Sequence, residues 1–340
     1  MERAIVFGLG RVYDTVKGWV GANYDVIALT DNNPQKRKDR SKEGLVIQPE
    51  QMLEYDFDCV VITASTSYAD GIRRQCEEAM GIAAERLVVP VYWLSSYRMG
   101  DVCEYNGIKV KINSCWEMLA FQEVFQQRQY QAPPSIQNDY IVIDIGMNIG
   151  AASLYYASFP NVKKVYSYEL FESTYQMALA NFALNPHISS KIAAHPFGIG
   201  GGGSKSLTLK RTANTIVGNM FNLISTTDLT ERPQDAAVCT VKGASETLRE
   251  AISSHPEEKL IMKIDCEGAE WEIFDDLSQS GLLANFSLIV GEWHLPHVDD
   301  RMAAMTKFIL QSEAAGLRMT KLTGAPFSGG DHGMFVLHPL

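Results

Sequence analysis

The sequence predicts an α/β protein of two consecutive doubly wound domains, each organised on a largely parallel sheet. Three observations carry that expectation. At 340 residues the chain exceeds what one hydrophobic core usually supports. Short apolar runs alternate with stretches of helical length, which is the pattern of βαβ units. Twice, an apolar run breaks into a glycine turn and the next run ends in an acidic residue about twenty positions on.

Composition narrows the function classes. Hydrophobic residues make up 46% and charged residues 21%, an ordinary globular balance. A formal net charge of -10 gives no general attraction to phosphate backbones or anionic membranes, so no nucleic-acid partner is expected. Cys59, Cys76, Cys103, Cys115, Cys239 and Cys266 are scattered without a CxxC pair or matching histidine spacing. Neither structural zinc nor a disulfide framework fits that spacing. The start, MERAIVFGLG, lacks the pattern of a secretory signal, and no apolar run approaches the ~18 to 20 residues that span a bilayer. A cytoplasmic protein with no membrane span is expected.

In the first domain, residues 1–95, the runs 4–8, 25–30, 59–64 and 86–90 read as strands separated by crossover helices. Gly8 and Gly10 follow the first run, and Asp31 closes the second, 21 residues after Gly10. This is half of a dinucleotide signature, since Tyr13 stands where the third glycine would let helix and strand close up. The favoured reading is an ordinary βα turn with Asp31 capping the DNNP turn. Residues 96–138 form a helical linker, with the boundary near Pro133 and Pro134. Trp116, Leu119, Ala120 and Val124 share one helical face there. That stripe is open to domain docking, to a homo-oligomer contact or to packing within its own domain.

The second domain, residues 139–340, carries the sharper chemistry. YIVIDIGMNIG is a strand ending at Asp144 followed by Gly146, Asn148 and Gly150 before a helix. The next strand ends at Glu169, 19 residues after Gly150, the spacing of a carboxylate that clamps two ribose hydroxyls. Phe171, Tyr175 and Phe182 then recur at helical spacing and read as core, and KIAAHPFGI reads as a third strand. The glycines at 200–203 read as a hairpin turn. KLIMKIDCEGAEWEIFDDL is a strand whose tip holds Asp265, Glu267 and Glu270 around Gly268, where open α/β sheets bind ligands. SLIVGEWH ends at the same edge with Glu292 and His294. His294 is open to three roles: general base, metal ligand with Glu292 and Asp265, or packed core histidine. RMTKLT and GMFVLHP close the chain as an antiparallel hairpin, and the glycine-rich segments 198–204 and 324–333 read as substrate loops.

DIGMNIG, YELFES and KIDCEGAEWE together make residues ~140–340 resemble the FkbM family of S-adenosylmethionine-dependent class I methyltransferases. The resemblance implies two Rossmann-like domains, the second a seven-stranded sheet with an antiparallel terminal hairpin. It also implies S-adenosylmethionine as cofactor, held by Asp144, Gly146, Asn148 and Gly150 at its amino-acid end and by Glu169 at its ribose. The chain departs from many class I enzymes at PFGIGGGG, which has no acidic residue for an adenine contact. The first domain resembles, loosely, the sugar-nucleotide-epimerase-like Rossmann domains that precede some glycan-modifying enzymes.

The expected function is therefore O-methylation of a sugar, glycan or related hydroxylated small molecule, free or nucleotide-linked. Asp265 and Glu267 stand on the substrate side and His294 serves as base. A sugar carboxylate would be an acceptor needing no base. No metal is expected to be required, with assistance through Asp265, Glu292 and His294 as a third version that a chelator would separate. Two readings from other classes remain: an NAD-dependent sugar-nucleotide oxidoreductase or epimerase acting through Gly8, Gly10 and Asp31, and a non-catalytic nucleotide-binding scaffold.

Overall fold

A computed structural model describes the chain except residues 65, 92, 93, 99, 211–235, 295–300 and 325–331. The contacts divide it into two compact units: residues 1–103 with 111–119, and residues 104–110 with 120–340.

In the first unit, β1 (Glu2–Phe7), β2 (Tyr24–Thr30), β3 (Cys59–Ile62), β4 (Leu87–Val91) and β5 (Leu94–Arg98) form one sheet in the order β2-β1-β3-β4-β5. The four expected strands are parallel, and β5 adds an antiparallel edge across the expected boundary between the first domain and the linker at residues 95 and 96. Helix α1 (Arg11–Asn23) follows the Gly8–Gly10 turn. Tyr13, Val16 and Val20 recur at helical spacing and bury against Ala4, Val6 and Leu29 of the sheet. Tyr13 thus fills the space that a third glycine would leave.

A two-stranded hairpin, β6 (Val102–Tyr105) with β7 (Ile108–Lys111), precedes helix α4. Helix α2 spans Pro34–Asp39, α3 Thr66–Arg74 and α4 Cys115–Phe121. Beyond α4 the helix continues through one π turn, Gln122–Gln126. Val124 of the expected stripe is buried and Leu119 and Ala120 are partly so, while the side chain of Trp116 lies outside the described residues.

The second unit is built on seven strands: β8 (Tyr140–Ile145), β9 (Val162–Tyr168), β10 (Ile192–His195), β14 (Lys259–Ile264), β15 (Phe286–His294), β16 (Leu317–Leu322) and β17 (His332–Pro339). Their order is β10-β9-β8-β14-β15-β17-β16, with β17 antiparallel to both neighbours, so the terminal hairpin is present as expected. KIAAHPFGI is not one strand. It breaks at Pro196, leaving β10 in the main sheet and sending β11 (Gly198–Gly200) to a small sheet with β12 (Lys205–Lys210) and β13 (Ala236–Gly243). Proline offers no amide to continue the ladder.

The central strands are continuous apolar runs because helices cover both faces. β8 is buried at every position, and β14 at every position after Lys259. The covering helices include α5 (Ala151–Ala157), α6 (Glu172–Ala183), α8 (Ala244–Ser253), α9 (Glu270–Gln279) and α10 (Arg301–Ala314), with α7 (Pro186–Ser189) a single turn. Of the three expected core aromatics only Phe182 is buried; Phe171, the N-cap of α6, and Tyr175 are partly buried. No helix among the described residues is long and apolar enough to cross a membrane. The strand order reverses between β8 and β14, so the loops leaving those two strands diverge and open a crevice at the carboxyl edge of the sheet.

Candidate active site

Two loops form the site, one from each strand at that switch point. The first, Gly146–Gly150, turns from β8 into α5. Gly146 has φ +77, and a Cβ there would sit 1.8 Å from the carbonyl oxygen of Asp265 in the second loop. Glycine is needed because the two backbones touch. At Gly150, φ +84, a Cβ would run into the Phe182 ring. Asn148 also adopts a positive φ of 54, which asparagine tolerates better than most residues.

Glu169, at the tip of β9, holds this turn from the other side. Its carboxylate accepts the amide of Asn148 at 2.8 Å and that of Phe171 at 3.0 Å, leaving further lone pairs for a ligand. Burial pushes its pKa up, opposed by those two amide bonds and by Lys263. Gly146, Asn148, Gly150 and Glu169 are therefore brought together as expected from their spacing.

Asp144 stands differently. It is fully buried beneath the turn, where Ser153 donates its hydroxyl to Oδ2 at 2.5 Å and Lys263 Nζ lies 3.3 Å from Oδ1. Lys263 is the direct cross-strand partner of Asp144 in the β8–β14 register. Its ammonium also donates to the carbonyl of Gly146 at 2.6 Å. Burial alone would lower the Lys263 pKa, but Asp144 and Asp265 outweigh it and the net direction is up. Asp144 thus buttresses the glycine turn from below.

The second loop follows β14. Asp265, Glu267 and His294 each offer a ligand atom, and these atoms lie within 4.8 Å of one another. Glu267 sits at φ +60, a conformation uncommon for a glutamate. His294, the last residue of β15, is nearly buried: Nδ1 lies 3.2 Å from Glu270 Oε1, while Nε2 faces Glu267 at 3.7 Å and Glu292 at 4.0 Å. Its carbonyl accepts the indole N–H of Trp271 at 2.6 Å, which ties the strand end to α9. Glu270, only 1% exposed, also accepts the amides of Cys266 and Gly268, both at 2.9 Å. Glu270 thereby shapes the loop and orients the imidazole together.

The charges here are unusually concentrated. Burial and then Asp265 push Glu267 up to about 7, and the same two causes push Glu292 up to about 8. For His294 burial alone would lower the pKa, but Glu270, Glu267 and Asp265 raise it to about 10. The surrounding carboxylates thus favour the charged form of the imidazole.

Sequence reasoning missed two residues that belong here. Tyr130 donates its hydroxyl to Asp265 Oδ2 at 2.8 Å. Glu123, on the π turn, is raised to about 7 by burial and by Asp265. Both come from the segment read as linker, where only the departure from regular helical winding sets Glu123 apart. π turns do concentrate at functional sites. Lys263 did leave a signal, as a lone cation inside an otherwise apolar strand.

A family model described as the methyltransferase FkbM domain matches residues 144–319. A second, described as C2185-like, N-terminal, matches residues 1–88, so the first domain is not matched to epimerases as its loose resemblance suggested. No curated protein matches the chain. Among solved structures, an FkbM methyltransferase of Methylobacillus flagellatus KT is 12% identical, covering 98% of this chain and 90% of that one at a TM-score of 0.40. The fibrillarin pre-rRNA processing protein of Methanococcus jannaschii is 13% identical over 71% of this chain and 82% of its own, at a TM-score of 0.38. The family match, not these distant likenesses, carries the assignment.

Proposed function

The chain belongs to the FkbM methyltransferase family, and from that premise we propose that it methylates a hydroxyl oxygen of a sugar, glycan or related small molecule. The cofactor is S-adenosylmethionine, which when bound presents a methyl carbon on a sulfonium for in-line displacement by an oxygen nucleophile. The residues suit this group. Glu169 offers a fixed carboxylate for a vicinal ribose diol, and the turn of Gly146, Asn148 and Gly150 lies beside it for the amino-acid end. Asp144 and Lys263 act from beneath by holding that turn in shape.

The observation that carries the proposal is adjacency. Asp265 and Glu267 leave β14, the strand next to the one that bears the donor turn, and His294 ends β15 one strand further on, with Asp265 in backbone contact with Gly146. An acceptor hydroxyl in the crevice would meet both. As the oxygen–methyl bond forms and the carbon–sulfur bond breaks, the hydroxyl proton passes to that group, and the donor leaves as a thioether. Burial strengthens these electrostatic contacts relative to water.

The test is methyl transfer from labelled donor to a panel of neutral glycosides and nucleotide sugars, with the product located by NMR. Glu267→Gln and His294→Ala should lower kcat by about 10²- to 10⁴-fold while leaving calorimetric affinity for S-adenosylmethionine within about twofold. Methylation at nitrogen or carbon, or near wild-type turnover in both variants, would overturn the assignment.

A further inference from the structure

The cluster at the β14 and β15 tips has more negative charge than its surroundings balance. Asp265 and Glu267 come together with His294, and Glu292 lies 4.0 Å from the same imidazole. Lys263 is committed to Asp144 and the carbonyl of Gly146, and His332 Nε2, 4.0 Å from Glu292, belongs to a largely exposed side chain. Such a group of like charges is costly unless something positive joins it.

His294 supplies an independent pointer to what that is. Its side chain is 9% exposed, and its two nitrogens are treated differently. Nδ1 is taken by the buried Glu270. Nε2 has no hydrogen-bond partner among the described residues: it points into the carboxylates but stops 3.7 Å from Glu267 and 4.0 Å from Glu292. A histidine with one nitrogen oriented by a carboxylate and the other aimed at an oxygen cluster is the arrangement that holds a metal-ligating imidazole in place. Asp265 has its own outer partner in Tyr130. Ligand oxygens around a small divalent ion lie at ~2.1 Å from it, so cis and trans ligands stand roughly 3 to 4.2 Å apart. The separations here, all within 4.8 Å, lie near that range.

We propose that Asp265, Glu267 and His294 form a binding site for a divalent cation of the magnesium–manganese class, with its remaining positions open to oxygens of the acceptor. Two carboxylates and an imidazole form a mainly hard donor set that suits these ions. Resting on the methyltransferase reading, the inference gives the cation a role: it would fix the acceptor hydroxyl beside the donor turn and favour its deprotonation. Glu270 and Tyr130 are then positioning residues for the two ligands they bond.

The experiment is a titration of the full-length protein, stripped with chelator, with Mn²⁺ alone, followed by electron paramagnetic resonance and calorimetry. The expected result is one Mn²⁺ per chain, displaced by excess Mg²⁺, with nitrogen hyperfine coupling from one imidazole. His294→Ala should abolish that coupling, and Glu267→Gln should weaken affinity at least about tenfold. Glu270→Gln, which leaves all three ligands in place, should weaken it less than either. No Mn²⁺ binding to the wild-type chain at millimolar concentration, or binding without nitrogen coupling, would overturn the inference. Calorimetry with S-adenosylmethionine on the same samples separates the two claims. Donor binding and turnover without a metal would sink the cation site and leave the methyltransferase reading standing; metal binding without donor binding would do the reverse.

Discussion

The two glycine turns look alike in sequence and differ in what lies beside them. In the first unit Asp31 accepts the amide of Leu9 at 2.7 Å and that of Asn33 at 2.8 Å, and Lys36 Nζ approaches at 3.6 Å. In the second, Glu169 accepts the amides of Asn148 and Phe171. Both acids therefore first serve as clips that shape a turn. The contrast lies one strand over. Beside β1, the tip of β3 offers Thr63, whose hydroxyl is spent on the carbonyl of Gly8. Beside β8, the tip of β14 offers Asp265, Glu267 and, through β15, His294. A glycine turn with a distal acid thus marks a fold, and the neighbour across the switch point marks chemistry.

The largest expected difference between the turns is in stability. Lys263 and Asp144 are both buried, so Lys263→Met would strand a carboxylate beneath the glycine turn and cost about 3 to 5 kcal/mol in urea unfolding. Lys36 is half-exposed, and Lys36→Met should cost no more than about 1 kcal/mol. Restoring stability by adding Asp144→Asn to Lys263→Met would identify the unpaired charge as the cause. Equal costs at the two lysines would mean that the turns are built alike after all.

Next comes ligand affinity. Glu169→Ala should weaken S-adenosylmethionine binding about 100-fold, since charge-assisted hydrogen bonds contribute about 1.5 to 3 kcal/mol each. Asp31→Ala should leave that affinity within about twofold and appear instead as lost stability, because two turn amides lose their acceptor. If NAD bound the wild-type protein and Asp31→Ala abolished it, the comparison would break in favour of a second nucleotide site.

The sequence made legible whatever follows from local pattern. Apolar runs and glycine spacing yielded β8, the turn, Glu169 and the terminal hairpin, because each is set within about twenty residues. What stayed hidden depends on register and on distant packing. Nothing local says that Asp144 pairs with Lys263 on the neighbouring strand, which removes Asp144 from the surface and makes it a buttress. Nothing in QRQYQAPP says that Tyr130 reaches Asp265, since a tyrosine in a polar, proline-containing segment reads as linker. Pro196 stands in plain sight within KIAAHPFGI, yet the apolar pattern continues past it and reads as one strand. His294 was found at the right edge, but its role turns on three carboxylates from separate positions that only folding assembles.

The smallest expected effect concerns Glu123, the acid that no pattern singled out. Its ordinary value is 4.5 and the fold raises it to about 7, first through burial and then through Asp265. A raised carboxyl means that the folded chain binds more protons than the unfolded one between those values. Stability should therefore fall as pH rises through about 4.5 to 7, and no further contribution arises once both states are ionised. Partial exposure trims the effect to about 1 to 2 kcal/mol. Glu123→Gln keeps the shape without the charge, so in metal-free protein it should match the wild type near pH 4 and exceed it by that amount at pH 8. A variant that tracks the wild type at both pH values would remove Glu123 from the charge cluster. A cation at Asp265 and Glu267 would shrink the same gap, because it offsets the repulsion that Glu123 feels.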